Sequence, residues 1–203
     1  MRRKRRKVSY VYWYFHRIER SKTMANVSKV KVGREGLLKK LEELSIESTT
    51  IEHPEVFTVE EALPHVSHLE GMFAKNLFLR SKKKKLYLFC APHDADIKLN
   101  DLAKLSGASG GLRFADESVL EEKLGLTQGS VTLFGLINDH AKDVTLVLDR
   151  QLLDGSYTKI YFHPMVNSAS TAISSAGIQA FLQHTGHEPL IVDVAKTTDE
   201  SQN

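Results

Sequence analysis

The stretch 72–91, MFAKNLFLRSKKKKLYLFCA, decides the fold of this 203-residue chain. Its two halves, MFAKNLFLR and KLYLFCA, are rich in the aliphatic and aromatic residues that strands favour, and the polar segment SKKK separates them. This pattern predicts a β-hairpin with a charged turn. Because side chains alternate between the two faces of a strand, we expect Lys75 and Leu77 to share one face and Asn76 and Phe78 to share the other.

Short strands and short helices follow one another outward from this hairpin. Helices are predicted, from apolar periodicity and capping signals, at residues 34–45, 99–105 and 116–124, at TVEEALPHV (58–66) and at SSAGIQAFLQHT (174–185). Further strands are predicted at residues 49–52, LRFA (112–115), GSVTLF (129–134), DVTLVLD (143–149), TKIYFHP (158–164) and PLIVDV (189–194). Strands outnumber helices and mostly come in runs that favour hairpins, so we predict an α+β domain with one substantial sheet or barrel.

The overall composition is that of a globular protein in a reducing compartment. Hydrophobic residues make up 41% of the chain and charged residues 26%, and no apolar run approaches the roughly 18 to 20 residues of a membrane-spanning helix. The single cysteine, Cys90, has no partner for an internal disulfide, and cysteine-based zinc fingers lack their ligands. We therefore expect a cytoplasmic protein that makes no membrane contact.

The positive charge of the chain belongs to its N-terminus. Residues 1–22 carry nine Lys or Arg against one Glu, whereas the rest of the chain carries 19 basic and 24 acidic residues. A domain that bound long nucleic acid mainly through phosphates should itself be basic, so any such contact of the acidic body must be local. We predict a disordered tail and linker over residues 1–32, one domain over 33–195 and a C-terminal tail over 196–203.

The basic run has other readings besides a disordered extension. It has the composition of a nuclear-localisation cluster and of an organelle-targeting segment, and it is also compatible with upstream sequence before a true start at Met24.

The common motifs of metal-dependent and covalent catalysis are missing from the sequence. It contains no HExxH, CxxC, GxSxG or GxxxxGK[ST], and His65 and His68 have no third ligand nearby. No metal and no other cofactor is therefore predicted.

Three segments suggest a binding pocket, although each also has a plainer structural explanation. A strand-mounted Lys75 could hold a phosphate or a carbonyl oxygen, or could simply extend its amine to water. In GSVTLFGLIND (129–139), terminal glycines could expose amides to an oxyanion, or could form a tight connection. In FHPMVNSASTAI (162–173), His163, Asn167 and Thr171 form a polar set typical of a pocket for a small polar ligand, although a lone histidine is more often structural.

Four segments in the same order, TVEEA, AKNLFLR, GSVTLFGLIND and FHPMVNSASTAIS, resemble the YbaK/prolyl-tRNA synthetase-associated domain family of aminoacyl-tRNA editing proteins, and within it the free-standing ProXp-ala branch. The resemblance covers roughly residues 33–195. One departure is Leu133, where the family commonly has proline, and this difference affects the backbone of the pocket wall.

The resemblance implies a fold and an activity. The fold is α+β, a single editing domain with a central mixed barrel-like β-sheet flanked by helices. The activity is that of a metal-free deacylase in which water attacks the aminoacyl ester of alanine mischarged to the tRNA for proline. Carried over to this sequence, the family implies catalytic roles for Lys75 and His163 and substrate-binding roles for Asn76, Gly129, Ser130 and Asn167.

The implied partner is the acceptor end of the mischarged tRNA, with prolyl-tRNA synthetase or the elongation machinery as further partners. The positions expected to contact nucleic-acid phosphates are Lys75, Arg80, Lys82 and Lys83, although a run of lysines also suits a solvated turn that discourages edge pairing. Two alternatives stay open, namely a deacylase for serine or cysteine on tRNA and a non-catalytic module that binds tRNA or a synthetase.

Overall fold

The computed structural model describes residues 30–55 and 70–194, and all elements named below belong to the compact unit that begins at Val32. The helix predicted at 58–66, most of the predicted N-terminal tail and the predicted C-terminal tail lie outside the described residues. Within the described residues, no helix is both long enough and apolar enough to cross a bilayer.

The described part of the chain contains four α-helices and eight strands. The helices are α1 (Arg34–Glu43), α2 (Leu99–Leu105), α3 (Glu117–Leu124) and α4 (Ser175–Thr185). The strands are β1 (Thr49–Glu52), β2 (Met72–Ser81), β3 (Leu86–Pro92), β4 (Leu112–Phe114), β5 (Val144–Asp149), β6 (Ile160–Phe162), β7 (Ala169–Ile173) and β8 (Leu190–Val192). Short 3₁₀ helices cover Leu133–Asn138 and Arg150–Leu152.

Helix ends follow local chemistry. Gly125 after α3 and Gly186 after α4 adopt the left-handed conformation, with φ of 65° and 68°, which glycine adopts without the steric cost of a side chain. At the start of α4, the Ser174 hydroxyl accepts a hydrogen bond from Gly177 N at 3.1 Å. The prediction that Gly125 ends the helix before it is confirmed.

The strands described here form one mixed eight-stranded sheet. Its order is β1-β7-β6-β2-β3-β5-β8, and β4 is a further partner of β2. The antiparallel pairing of β2 with β3, from Ala74 opposite Pro92 to Arg80 opposite Leu86, confirms the predicted hairpin. Strands β5 and β6 pair in parallel with β3 and β2, so the sheet combines both kinds of ladder. A mixed sheet flanked by helices confirms the predicted fold class.

Apolar residues pack on both faces of the central hairpin. Phe78 belongs to a cluster that contains side chains of α1, α3 and α4, whereas Leu79 belongs to a second cluster that contains side chains of α2. The predicted alternation along β2 is therefore confirmed, because neighbouring residues enter different cores. Helices thus cover both faces of the sheet.

One edge of β2 is shared by two strands. Strand β3 occupies the opposite edge. On the shared edge, β6 pairs with Met72 and Phe73, and β4 pairs with Leu79–Ser81 at the far end. In the described part of the chain, residues 74–78 therefore have no strand partner on this edge, and a gap is left between β6 and β4.

The strand predicted at GSVTLF is wrong. The chain forms a 3₁₀ helix from Leu133, and the Thr132 hydroxyl accepts from Phe134 N at its start. Asn138 at the far end donates to Leu124 O and Val32 O, at 2.8 and 3.0 Å. Contacts with distant residues thus override the β-propensity of Val, Thr and Phe. Leu133, at the position where the family commonly has proline, is fully buried.

Strand β7 is an element that the sequence reading did not predict. The small polar residues of this segment suggested a pocket, yet all five residues of β7 are buried. The Thr171 hydroxyl lies 2.8 Å from the Thr50 hydroxyl of β1, and the Ser170 hydroxyl lies 3.0 Å from His53 Nε2. Because buried hydroxyls are tolerated when they are hydrogen-bonded, these residues suit a core strand.

Candidate functional site

A cavity of about 240 Å³ lies at the gap in the edge of β2. The segment from β4 to α3 forms a second wall of the gap. It is held there because β4 pairs with the end of β2 and because Ala115 N donates to Phe78 O at 3.1 Å. The cavity is lined by Asn76, Leu77 and Phe78 of β2, by Phe114, Ala115, Glu117 and Leu120 from β4 to α3, and by Gln128 and Val131 of the next loop.

Asn76 contributes an unsatisfied acceptor to this cavity wall. Its Nδ2 donates to Ala74 O at 3.1 Å. Because a carbonyl oxygen only accepts, this bond orients the amide, and the buried Oδ1 has no hydrogen-bond donor among the described residues. Such an atom costs about 1 to 3 kcal/mol when it stays unpaired. Because Oδ1 is also closed off from solvent, a ligand in the cavity reaches this acceptor only after the side chain turns.

Glu117 contributes a carboxylate to the cavity lining, and Phe114 contributes an aromatic ring. Glu117 Oε1 accepts from Gln128 N at 3.1 Å and ties the first turn of α3 to the following loop. Phe114 is 62% exposed while it also lines the cavity, so its ring offers a flat apolar surface at the opening. Exposed aromatic rings of this kind are the surfaces on which nucleic-acid bases stack.

The predicted pocket residues Gly129 and Ser130 lie between two lining residues, Gln128 and Val131. Gly129 has a φ of 88°, a conformation that favours glycine. The Ser130 hydroxyl donates to Thr127 O at 2.9 Å and accepts from Thr127 N at 3.1 Å. The hydroxyl is thus engaged within its own turn, and the pair shapes the backbone next to the cavity.

Lys75 lies on the face of β2 opposite to Asn76. Its Nζ donates to Ala95 O at 2.5 Å, in the segment between β3 and α2. Lys75 is absent from the cavity lining, as is His163. The structure therefore brings Asn76, Gly129 and Ser130 to one place, and it locates the two residues predicted as catalytic elsewhere. Their catalytic roles remain predictions.

His163 follows β6 and is mostly buried. Because Ala169 O at 3.0 Å is an acceptor, Nδ1 carries the hydrogen. Burial lowers the pKa of this imidazole below its usual 6.5; the bond to Ala169 opposes this effect, and charge on the His53 ring, 6.1 Å away, adds to it. Because its pKa is lowered, His163 is favoured as a neutral side chain. The other predicted residue of this segment, Asn167, lies half-buried in the turn between β6 and β7.

The predicted phosphate-binding residues differ in their surroundings. Arg80 Nη1 forms a salt bridge with Asp116 Oδ2 at 2.7 Å, directly before α3. Lys82 and Lys83 are exposed in the turn of the hairpin, as the sequence predicted for a charged turn. Arg80 therefore has a structural partner, whereas the two lysines face solvent.

The remaining candidates for catalysis have structural surroundings. Cys90 is fully buried in β3, and burial raises the pKa of its thiol, which disfavours the nucleophilic thiolate. Among residues 30–55 and 70–194, no group of three His, Cys, Asp or Glu side chains is arranged as a metal site.

Comparison with known families identifies the class of protein to which this fold belongs. The family described as "Aminoacyl-tRNA editing domain" matches residues 53–181. The chain belongs to this family, which confirms the resemblance drawn from its motifs.

Individual relatives narrow the comparison. The chain is 51% identical over 161 residues to "Prolyl-tRNA synthetase associated domain-containing protein 1" of Xenopus laevis, which covers 78% of this chain and 95% of that protein. It is 35% identical over 155 residues to "Prolyl-tRNA editing protein ProX" of Acetoanaerobium sticklandii, covering 76% of this chain and 93% of the relative. A solved structure described as a candidate trans-editing enzyme for prolyl tRNA synthetase shares the fold, with a TM-score of 0.58, 22% identity, and coverage of 81% and 98%.

Sequence reasoning missed Phe114, Glu117 and Gln128 as site residues. Phe114 lies in LRFA, which was predicted only as a strand, and Glu117 lies at the start of a predicted helix. An aromatic residue at the end of a short strand, followed by acidic residues, was the signal available.

Proposed function

We propose that this protein is an aminoacyl-tRNA deacylase that removes alanine from mischarged tRNA for proline. Water attacks the carbonyl carbon of the ester, the bond from that carbon to the ribose oxygen breaks, and the ribose oxygen takes up a proton. The products are free alanine and uncharged tRNA. Membership of the editing family supports the substrate class, and the relative named as a prolyl-tRNA editing protein supports the choice of tRNA.

The observation that carries the proposal is the cavity beside Asn76. Its volume of about 240 Å³ is below the roughly 300 to 1,000 Å³ of sites that enclose drug-sized ligands. A space of this size suits a small aminoacyl group, with the nucleotide left at the opening. There, the exposed ring of Phe114 offers a stacking surface for the terminal adenine.

A small cavity also supplies the selectivity that a synthetase lacks. A synthetase site built for proline accepts the smaller alanine and loses only the contacts of the missing methylenes, about 1 to 3 kcal/mol for each. A second site that admits alanine and excludes proline sterically reverses this order. We propose that the walls formed by Phe78, Leu120 and Val131 set this limit.

The predicted site residues differ in their part in the proposal. The Asn76 side chain contacts the substrate from the wall of the cavity, and the backbone at Gly129 and Ser130 positions the neighbouring lining residues. Lys75 lies on the opposite face of β2 and donates to Ala95 O, so the anchoring role that the family implies for it is tested separately with Lys75→Ala. His163 and Asn167 lie outside the cavity lining, and we propose no contact between them and the substrate in this cavity.

The proposal is tested with the four esters that alanine, serine, cysteine and proline form with the tRNA for proline. Loss of each ester is followed over time with the full chain. We expect hydrolysis of the alanyl ester and survival of the prolyl ester. Asn76→Ala should lower the rate with alanine by roughly tenfold or more, because it removes a polar side chain from the wall that contacts the substrate.

Two further variants test Lys75 and provide a control. Lys75→Ala tests the role implied by the family, and Glu121→Gln, at an exposed position of α3 outside the cavity lining, should leave the rate unchanged. Faster loss of the seryl or cysteinyl ester would identify a different substrate. Tight tRNA binding without turnover of any ester would contradict the proposal and favour a non-catalytic module.

A further inference from the structure

Positive charge is concentrated at the far end of β2, where the hairpin turn and the start of β4 lie side by side. The turn carries four exposed lysines at residues 82–85, and Arg113 of β4 is also exposed. We propose that these side chains and the backbone of the loop 107–111 together form a surface that binds the phosphates of a polynucleotide chain. This inference rests on the proposed function, because the polynucleotide is then the tRNA that carries the ester.

The pairing of β2 with β4 brings the loop next to the turn. Ser81 pairs with Leu112, so the loop 107–111 enters β4 directly beside the first lysine of the turn. A Cβ atom on Gly110 would lie 2.8 Å from Lys82 Cβ and 3.2 Å from Lys82 Cδ. The aliphatic part of Lys82 therefore lies across the glycine, and this contact limits the directions in which its ammonium group can point.

The loop also offers backbone donors. Gly110 and Gly111 both have a positive φ, of 84° and 83°. Gly111 N donates to Ala108 O, whereas the N–H groups of Ser109 and Gly110 have no acceptor among the residues that the structure describes. Ser109 and Gly110 are exposed, so these two donors lie at the surface. Adjacent N–H groups in a turn with left-handed residues are a common way for a backbone to bind an anion.

This surface contains two features that cost stability. Arg113 lies directly opposite Arg80 in the pairing of β4 with β2, and opposed like charges on neighbouring strands destabilise a sheet. Asp116 neutralises Arg80, with 2.7 Å between the charged atoms, and Arg113 has no ion pair among the described residues. Lys84 has a φ of 62°, which is costly for a residue with a side chain. Costs of this kind are typical of functional surfaces, and a bound phosphate would offset the repulsion between the arginines.

The surface lies beside the opening of the cavity. Arg113 is followed in β4 by Phe114, whose exposed ring is the proposed stacking surface for the terminal adenine. The phosphates nearest to Arg113 are therefore expected to be those of the nucleotides next to the esterified adenosine. Since the rest of the domain is acidic, a local surface of this kind suits contact with one end of the tRNA.

The test measures binding of uncharged tRNA for proline to the full chain at several salt concentrations. The basic residues 1–22 are common to all variants, so differences between variants report on the substituted positions. Arg113→Gln should weaken binding by about three- to fivefold near physiological salt. It should also reduce the slope of log K against log salt concentration by about 0.7 to 0.9, because one phosphate contact is lost. ATP and inorganic phosphate are added as competitors, and we expect neither to displace the tRNA at equal concentration.

A second variant tests the loop without changing any charge. Gly110→Ala places a methyl group against Lys82 and should weaken tRNA binding by about threefold or more, because the lysine and the two backbone donors shift. The matched control is Gly155→Ala, which is also exposed with a φ of 85° and would meet no described atom within 4 Å. The control for charge is Arg150→Gln at another exposed arginine. Both controls should bind tRNA as the wild-type protein does.

Several results would overturn the inference. Unchanged tRNA affinity in either Arg113→Gln or Gly110→Ala would remove that part of the surface from the binding site. Equal losses in Gly110→Ala and Gly155→Ala would show an effect of backbone strain and no contact. Displacement of the tRNA by ATP at equal concentration would assign the surface to a free nucleotide. Hydrolysis of a short alanyl-adenosine ester by the wild-type protein decides the proposed function separately, so that function can stand when the inference fails.

Discussion

The imidazole of His163 makes the stability of the folded protein depend on pH. Its pKa lies below the usual 6.5 because the ring is mostly buried. Below about pH 6.5, the unfolded chain therefore binds more protons at this position than the folded chain does. The contribution of the neutral ring to stability is fully present above that pH, and it is lost as the pH falls towards the pKa of the folded state.

We predict that His163→Asn weakens the pH dependence of stability. The asparagine amide keeps a donor for Ala169 O but does not titrate. Between about pH 7.5 and pH 5, the free energy of unfolding of the wild-type protein should fall more than that of the variant. Urea unfolding at several pH values measures this difference.

The control for this prediction is a histidine on the surface. His140 is exposed, so His140→Asn tests for the loss of an imidazole as such. Identical pH profiles for the wild-type protein and His163→Asn would contradict the assignment of a depressed pKa to His163.

Among the elements, the 3₁₀ helix Leu133–Asn138 depends on a close approach at Gly135. A Cβ atom at this position would lie 2.7 Å from Leu126 Cδ1 and 3.1 Å from Leu124 Cβ. Leu126 is 1% exposed, so its methyl group has no solvent into which it can move, and Leu124 Cβ is fixed by its own backbone. The helix therefore packs against the end of α3 only with glycine at this position.

We predict that Gly135→Ala destabilises the protein by about 1 to 3 kcal/mol, the usual cost of overpacking a dense core. Chemical denaturation measures the free energy of unfolding. The comparison variant is Ser118→Ala at an exposed position of α3, which should change it by less than about 0.5 kcal/mol. Equal stabilities of the two variants would show that the core adapts to the extra methyl group.

Elements with strong local signals could be predicted from the sequence. The hairpin β2–β3 combines two β-rich runs with a polar turn, and α3 combines apolar spacing with Gly125. The 3₁₀ helix could not be predicted, because VTLF has the composition of a strand and its contacts come from residues far along the chain. Strand β7 could not be predicted for a similar reason, since its buried hydroxyls are hydrogen-bonded to Thr50 of β1 and to His53, more than 100 residues away in sequence.

The candidate site was predictable only in part. Alternation along β2 correctly separates Asn76 from Lys75, and the glycine-containing loop lies next to the cavity. The opposite wall depends on the pairing of β4 with the end of β2, which brings Phe114 and Glu117 to the gap. That pairing is a tertiary contact, so no local pattern reveals it.

At the scale of the whole molecule, charge limits how a tRNA can bind. Outside residues 1–22, acidic side chains outnumber basic ones by 24 to 19. A broad electrostatic surface for nucleic acid is therefore not expected. The exposed lysines of the hairpin turn, Lys82 to Lys85, are a local concentration of positive charge at the far end of β2.

We predict that Lys82→Gln combined with Lys83→Gln weakens tRNA binding and flattens its salt dependence. Each lost phosphate contact should reduce the slope of log K against log salt concentration by about 0.7 to 0.9. Hydrolysis of a short aminoacyl-adenosine mimic should be unchanged, because it lacks the acceptor stem. Binding titrations at several salt concentrations provide the measurement.

The matched control neutralises two exposed lysines elsewhere, Lys39 and Lys98. That pair should leave the slope close to the wild-type value. A similar loss with the tRNA and with the short mimic would show that Lys82 and Lys83 act on the reaction centre, against the prediction.

On one edge, residues 74–78 of β2 have no strand partner in the described part of the chain, and this affects how the cavity can vary between related proteins. The hollow beside it results from the lengths of two short neighbouring strands, and no missing side chain is needed to create it. Substitutions at its rim can therefore change the size and polarity of the hollow while the backbone frame stays the same. One architecture can in this way accommodate a series of different small ligands.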